Sequence, residues 1–205
     1  LDTLLTRFHG YIGKNGILDN APDYMFVDWL EMEGYNMHHP PKSLGQTVLC
    51  AFYYKALTDA CALCKVMERE PDGAWWTAKR ASFRPAFHRA LYDAEAGLYI
   101  DGLSDEDEGD GWSRPKNVPL RHFTRHANVL AAMYGLCPDE ERERILRRAV
   151  DPASDLQQVQ PYYMYFILEA VWENGLFGDY GMQLLALWKP LVETCDKGLQ
   201  EGWFA

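Results

Sequence analysis

The chain has 205 residues with 30 acidic and 20 basic side chains, so its formal net charge is −10, and 48% of its residues are hydrophobic. This apolar content is enough for one sizeable core and excludes a disordered, fibrous or disulfide-stapled miniprotein. The acidic balance argues against a nucleic-acid partner, and the lack of an unbroken run of about 18 apolar residues argues against a membrane span.

The first half of the chain has a mainly helical pattern. Apolar residues recur every three or four positions between 49 and 67, which predicts a long helix. Pro71-Asp72-Gly73 should break the chain, and a second helix should follow over 76–91, with Pro85 kinking or restarting it. Residues 97–101 suggest a short strand, and 102–120 form a long polar loop.

The second half alternates in the same way. We predict a helix over 122–136, with Thr124 as its N-cap or in its first turn, and another helix opened by Pro138. Residues 161–172 are apolar almost all round, which predicts a helix buried on most sides, and 180–192 are amphipathic.

Helices predicted to be buried on most sides therefore alternate with helices that have a single apolar face, and short turns join them. This pattern indicates an all-α protein in which inner helices are wrapped by outer ones, built from about seven helices in αα-hairpins. A plain helical bundle or an α-solenoid is the competing architecture, although no fixed repeat of 34–47 residues supports a solenoid.

The first candidate for chemistry is Asp28-Trp29, after the loop 16–24. A carboxylate can accept hydrogen bonds from sugar hydroxyls, and an indole can cover the apolar face of a pyranose. An interfacial Trp beside a helix-capping Asp is the structural alternative. Glu31 and Glu33 are either further ligands or solvated loop charges.

The second candidate is the segment 121–128, which contains His122 and His126 four positions apart on a helix. Two such histidines could hold a metal, but no third ligand has suitable spacing, so we predict no metal. His126 could equally be a core histidine with its hydrogen bonds satisfied.

Two further segments carry carboxylates. The acidic run 104–110 lacks the 12-residue spacing of a calcium loop and is more typical of a solvated surface loop. In 198–204, Glu201 lies between Gly198 and Gly202, close to Trp203 and after a helix, where it could project into a cleft or belong to a simple turn.

The five cysteines favour reduced thiols over a bridge framework because their number is odd. Cys61 and Cys64 form a CxxC within an apolar helix, where packing is a better interpretation than redox or zinc chemistry. Reduced thiols favour a cytoplasmic location, with periplasmic and secreted locations left open.

Four blocks together resemble the catalytic region of α-L-rhamnosidases, glycoside hydrolase family 78. They are FVDW at 26–29, RHANVLAAMYGL at 125–136, QPYYMYFILEA at 160–170 and LWKPLVET…GLQEGWF within 187–204. They follow one another in the family's order and cover almost the whole chain.

The resemblance implies part of an (α/α)6 toroid and an inverting glycosidase that acts on terminal α-L-rhamnosyl or related residues. In such enzymes a general acid and a general base flank the scissile bond, about 6.5–9.5 Å apart. The base role is carried to Glu201, and sugar contacts are predicted at Asp28, Trp29, His126 and Trp203. No cofactor is implied.

The sequence departs from the family at the upstream end of the site. The family's general acid lies upstream of the FVDW block, in an acidic motif that this sequence lacks, and Asp105–Trp112 echoes that motif only superficially. We therefore expect residues 1–205 to be one helical region, the C-terminal part of a glycosidase catalytic domain, inactive alone. Such a piece would expose apolar inner-helix faces and could self-associate.

A non-catalytic helical module that binds carbohydrate or protein is the alternative from a different functional class. A six-hairpin glycosidase or lyase acting on another sugar is a third possibility. Convergence of Asp28, Trp29 and Glu201 on one concave surface would favour catalysis.

Overall fold

The structure is a computed structural model that describes residues 2–19, 21, 26–29, 46–103, 121–194 and 202–203, together with the backbone of 31–32 and 35–36. Its helices are α1 (Asp2–His9), α2 (Gln46–Val66), α3 (Glu70–Leu91), α4 (Arg125–Met133), α5 (Asp139–Val150), α6 (Met164–Glu173), α7 (Met182–Ala186) and α8 (Lys189–Thr194), with a π-helical turn at Phe177–Gly181. Short antiparallel pairs join β1 (Glu31–Met32) to β2 (Tyr35–Asn36) and β3 (Tyr92–Asp93) to β4 (Leu98–Tyr99). The predicted all-α class is confirmed.

The helices form two layers. The hairpins α2–α3 and α4–α5 each pack one helix against its partner, and α4 also contacts α2 and α6. Every residue of α4 is buried, whereas α5 buries only the face formed by Ile145, Leu146, Ala149 and Val150. The predicted alternation of inner helices (α2, α4 and α6) with outer helices (α3 and α5) is therefore present in the structure.

Helix α2 corrects the argument about membrane spans. It is 21 residues long and apolar enough to cross a membrane by length and composition alone, with a mean hydropathy of 1.2 over the best window. Half of that window is buried inside the protein, against α3 and α4. The core helix of a water-soluble fold meets the same criteria, so the absence of a membrane span stays a prediction.

Helix α3 differs from its prediction at two prolines. It begins at Glu70, so Pro71-Asp72-Gly73 lies in its first turn instead of breaking the chain. Proline is tolerated there because first-turn amides have no intrahelical acceptor. The helix also continues through Pro85 to Leu91 without restarting, held by the buried side chains of Phe83 and Phe87.

The CxxC lies on the face of α2 that packs against α3. Cys64 is buried close to Gly73, and the Cys61 thiol accepts a hydrogen bond from the Thr77 hydroxyl at 3.4 Å. Neither thiol is in a disulfide. This placement supports the packing interpretation of the motif.

Helix α6 is less enclosed than its apolar sequence predicted. Its buried residues are Met164, Ile167, Ala170 and Val171. On the other side, Tyr165 is 61% exposed and Trp172 is 72% exposed. An apolar sequence thus leaves one face of this inner helix uncovered in the chain as it stands.

A buried arginine organises the segment between α5 and α6. Arg125 is only 2% exposed, and its guanidinium donates to the carbonyl oxygens of Leu156, Ala149, Pro152 and Ser154 at 3.2–3.4 Å. The Ala149 carbonyl lies in the last turn of α5, where a cation also interacts favourably with the helix dipole. Four acceptors therefore share one buried cation.

We predict that Arg125→Met lowers the free energy of unfolding by roughly 2–4 kcal/mol, because buried carbonyls lose their donor. Urea denaturation followed by circular dichroism measures this loss. The matched control is Arg147→Met, since Arg147 pairs with Glu143 and Asp179 at the surface. It should cost less than about 1 kcal/mol. Equal losses for the two variants would contradict the organising role of Arg125.

Candidate functional site

The centre of the site is a buried pair formed by Asp28 and His126. Both side chains have essentially no exposure, and His126 Nε2 lies 2.7 Å from Asp28 Oδ2. A carboxylate can only accept at this contact, so Nε2 carries the proton and donates it. The pair joins the N-terminal loop to the first turn of α4 across 98 residues of sequence.

The remaining acceptor capacity of Asp28 is also used. Its Oδ2 accepts the backbone N–H of Gln160 at 3.0 Å, and its Oδ1 accepts the backbone N–H of Trp29 at 2.8 Å. The sequence interpretation gave this carboxylate directly to a sugar. That role stays a prediction. In the described structure Asp28 is 0% exposed and both of its oxygens accept hydrogen bonds, so it anchors the backbone around it.

Trp29 has the opposite character. Its indole is 49% exposed and packs edge-to-face on Phe26, which is 40% exposed, with ring centroids 5.2 Å apart. The two residues of the Asp28-Trp29 dipeptide, which were predicted to bind a sugar together, thus differ in their surroundings. The carboxylate fixes the loop, and the ring is displayed at the surface, where it can stack on an apolar sugar face.

Trp203 is brought to the same region by the loop before α6. Its backbone N–H donates to Gln160 Oε1 at 3.1 Å, and its indole N–H donates to the carbonyl oxygen of Val159. The ring is partly buried and packs edge-to-face on Trp188, with centroids 5.0 Å apart. All four predicted sequence blocks therefore meet here, because Gln160 begins the third block and lies beside Asp28, His126 and Trp203 of the other three.

The catalytic candidate Glu201 lies outside the described residues, as do Glu33, the acidic run 104–110 and the echo of the acid motif up to Trp112. For Glu31 only the backbone is described, in β1. The roles predicted for these carboxylates stay predictions. Among the residues that the structure describes, no group of three or more His, Cys, Asp or Glu could hold a metal ion.

Asp101 is a buried carboxyl that sequence reasoning missed. It is 1% exposed, and its Oδ1 accepts from the Thr124 hydroxyl at 2.7 Å and from the Thr124 amide at 3.3 Å. Its Oδ2 has no hydrogen-bond partner in the described part of the chain. Burial raises the pKa of Asp101 to about 7, with the hydrogen bonds from Thr124 opposing the shift.

Thr124 and Asn128 complete the N-terminal end of α4. Thr124 is the N-cap, as one of the predicted alternatives had it, and its hydroxyl oxygen accepts the Ala127 amide at 3.3 Å. Asn128 pairs with both backbone groups of Tyr99, accepting its N–H at 2.8 Å and donating to its carbonyl at 3.0 Å. Polar residues within an otherwise apolar inner helix were the available sequence signal for this cluster.

Two clefts lined by described residues lie away from the polar cluster. One of about 640 Å³ lies at the carboxyl-terminal end of α4, between Tyr54, Arg84, His88 and Pro138. Another, of about 410 Å³, lies between α2, α4 and α6.

A family model described as the bacterial α-L-rhamnosidase six-hairpin glycosidase domain matches residues 5–158, three quarters of the chain. The chain belongs to this family. The match includes α2–α5, Asp28, Trp29 and His126, and it ends before Gln160 and Trp203. A comparison with curated proteins finds no match.

Solved rhamnosidases share the fold. A glycoside hydrolase family 78 rhamnosidase of Bacillus sp. GL1 superposes with a TM-score of 0.73 at 20% identity over 92% of this chain. A Klebsiella oxytoca rhamnosidase with rhamnose bound superposes with a TM-score of 0.67 at 18% identity over 94% of this chain. The chain spans only 18% and 32% of the length of these two proteins.

We predict that Asp101 makes stability fall as the pH rises from about 4 to about 7. Between its ordinary pKa of 3.8 and its folded pKa of about 7, the folded chain keeps a proton that the unfolded chain has released. The stabilisation is complete below the lower value and lost above the upper one. Across this pH window the free energy of unfolding should fall by about a few kcal/mol, and Asp101→Asn should remove that fall.

Urea denaturation at a series of pH values measures this fall for both chains. The matched control is Asp59→Asn, because Asp59 is an exposed carboxylate on α2 paired with Lys55. A pH dependence that is the same with and without Asp101 would refute the assignment.

Proposed function

We propose that residues 1–205 are the C-terminal part of the catalytic domain of an inverting glycoside hydrolase that removes terminal α-L-rhamnosyl or related residues. The observation that carries the proposal is the match to the rhamnosidase six-hairpin domain over residues 5–158. The meeting of the Asp28-Trp29 loop, the start of α4 and Trp203 around Gln160 supports it.

In this proposal Trp29 and Trp203 provide aromatic surfaces for the sugar ring. Trp29 is the more exposed of the two and is the better candidate for direct stacking. Asp28 and His126 act beneath it, because a carboxylate bound to an imidazole N–H and two amides holds the loop backbone in place. We therefore assign Asp28 and His126 to shaping the pocket.

Glu201 serves as the general base. An inverting enzyme needs one carboxylate to activate water on one face of the sugar and one carboxylic acid to protonate the leaving oxygen on the other, with space for the water between them. Glu201 follows the last helical segment and lies two residues before Trp203 in the sequence. The acid belongs to a part of the parent protein outside these residues.

We predict that Glu201→Gln in the parent enzyme lowers kcat by roughly 10²- to 10⁴-fold on an aryl α-L-rhamnoside, because the water loses its base. KM should change little. The control is Glu193→Gln, since Glu193 is exposed on α8 beside Lys189. An unchanged kcat in Glu201→Gln would exclude this residue as the base.

The isolated 205-residue chain should not turn over the same substrate, because it supplies half of the acid–base pair. Turnover by the isolated chain, lost in Glu201→Gln, would contradict that expectation. Binding of rhamnose by the parent without any turnover would favour the alternative, a non-catalytic carbohydrate-binding module.

The self-association that we predict would use the exposed inner face, which is formed by Phe52, Tyr134, Tyr165 and Phe166. Phe52 is 37% exposed and contacts Phe166 and Tyr134 with ring centroids 5.4 and 6.2 Å apart. We infer that further hairpins of the six-hairpin ring cover this face in the parent, because the chain spans only 18% and 32% of the solved rhamnosidases. In the isolated chain the face is open.

We predict that the isolated chain forms oligomers whose average mass rises with concentration, as measured by light scattering after size exclusion. Tyr165→Lys should shift it toward monomer, because a charge on the inner face opposes burial of that face. Val192→Lys is the control, since Val192 is 65% exposed on α8, outside the inner face. A monomeric wild-type chain at all concentrations would contradict the inference.

A further inference from the structure

A continuous chain of hydrogen bonds joins Trp29 to Trp203 through Gln160. The Trp29 amide donates to Asp28 Oδ1 at 2.8 Å, and the other carboxylate oxygen, Oδ2, accepts the Gln160 amide at 3.0 Å. The side-chain oxygen of Gln160, Oε1, then accepts the Trp203 amide at 3.1 Å. Two tryptophans that are far apart in the sequence are thereby tied to one residue of the loop before α6.

The loop that carries Gln160 is itself held on both sides. Arg125 donates to a carbonyl earlier in the loop, and Gln157 forms an isolated β-bridge with Thr124. The carbonyl of Gln160 accepts the amide of Met164 at the start of α6. The loop is therefore bound to α4 before Gln160 and to α6 after it, which fixes the backbone from which the Gln160 side chain extends.

Trp203 is held against this loop by two different kinds of acceptor. Its indole N–H donates to the carbonyl oxygen of Val159, and its ring packs edge-to-face on Trp188. A backbone carbonyl is present whatever residue occupies position 159. The Trp203 amide, however, donates to a side-chain oxygen, so this contact requires a residue at 160 that carries an acceptor.

The link to Trp29 uses the backbone of Gln160 instead of its side chain. Asp28 is 0% exposed and also accepts from His126 Nε2 at 2.7 Å, so its carboxylate holds the start of the Trp29 segment against α4. The indole of Trp29 is 49% exposed next to this anchor. If the Trp203 amide lost its acceptor, the Trp29 anchor would remain, and the two indoles would lose their fixed relation.

We propose that Gln160 is a positioning residue for the sugar-binding surface, and that its side-chain oxygen keeps the indole of Trp203 in a fixed position relative to that of Trp29. The role rests on the proposed function, in which both indoles contact the sugar. Gln160 does not touch the sugar in this role and acts through Trp203. The apparent dissociation constant for the sugar rises as the fraction of molecules with the ring in place falls.

The test measures the dissociation constant of the parent enzyme for L-rhamnose by calorimetry. Gln160→Met keeps the length of the side chain and removes the acceptor, so the dissociation constant should rise roughly 3- to 10-fold. Gln160→Glu keeps an oxygen for the Trp203 amide and should bind close to wild type. Gln157→Met is the control in the same loop, because Gln157 contacts α4 through the β-bridge of its backbone.

A double-mutant cycle separates this role from a general loss of structure. In Trp203→Ala the indole is gone, so adding Gln160→Met should change the dissociation constant no further. In Trp29→Ala the same addition should still weaken binding, because the Trp203 indole is present there. Additive effects of Gln160→Met and Trp203→Ala would overturn the proposal.

Amide hydrogen exchange gives a readout that does not depend on the sugar. Exchange at the Trp203 amide should accelerate in Gln160→Met and stay slow in Gln160→Glu and Gln157→Met, while circular dichroism confirms that all three variants fold. Unchanged exchange in Gln160→Met overturns the proposal. Faster exchange with a wild-type dissociation constant overturns it as well, because the hydrogen bond would then have no effect on sugar binding.

Failure of the proposed function gives a different pattern. If Trp29→Ala and Trp203→Ala both bind L-rhamnose like wild type, the two indoles are not the sugar-binding surface, and the role of Gln160 is overturned with them. A parent enzyme that binds no L-rhamnose would have the same consequence. The exchange measurement would still report the link from Gln160 to Trp203, so the two failures are distinguishable.

Discussion

The N-terminal turn of α4 is the feature on which the rest of the structure depends. Four of its residues each hold a different neighbouring segment. Thr124 binds the carboxyl of Asp101, Arg125 the carbonyls after α5, His126 the carboxylate of Asp28, and Asn128 the backbone of Tyr99. Because α4 lies between α2 and α6, these contacts set where the loops of both neighbouring hairpins reach the same end of the inner layer.

Such a cluster is costly unless its members are paired. A buried polar group without a partner costs about 1–3 kcal/mol, so the nearly complete pairing of these side chains selects one arrangement of the loops over its alternatives. Within this cluster, Asp101 Oδ2 and His126 Nδ1 are buried without a hydrogen-bond partner among the described residues. Pairing in the polar cluster is therefore incomplete at Asp101 and His126, and burial raises the pKa of Asp101 to about 7.

The spacing of apolar residues along the sequence predicted much of the fold, but it did not predict most of the contacts in the site. The apolar stripe of α2 and the almost uniformly apolar sequence of α6 predicted inner helices, because burial requires such patterns. The start of α3 was misjudged because proline and glycine usually end helices, yet Pro71 lies in a first turn that tolerates it. The partners of Arg125 were invisible, since they are carbonyls 24–31 residues away that any residue type could provide.

The Asp28-Trp29 dipeptide shows most clearly what the sequence could not predict about the site. Residue types predicted a carboxylate and an indole acting together on a sugar, and family resemblance placed both in the pocket. Only the three-dimensional contacts separate them, because Asp28 is enclosed by His126 and Gln160 while Trp29 is half exposed. A buried carboxylate that orders a loop needs the same residue type as one that binds hydroxyls. Distinguishing the two requires knowing which donors reach it, and here one of those donors is the amide of Gln160, whose side chain also holds Trp203.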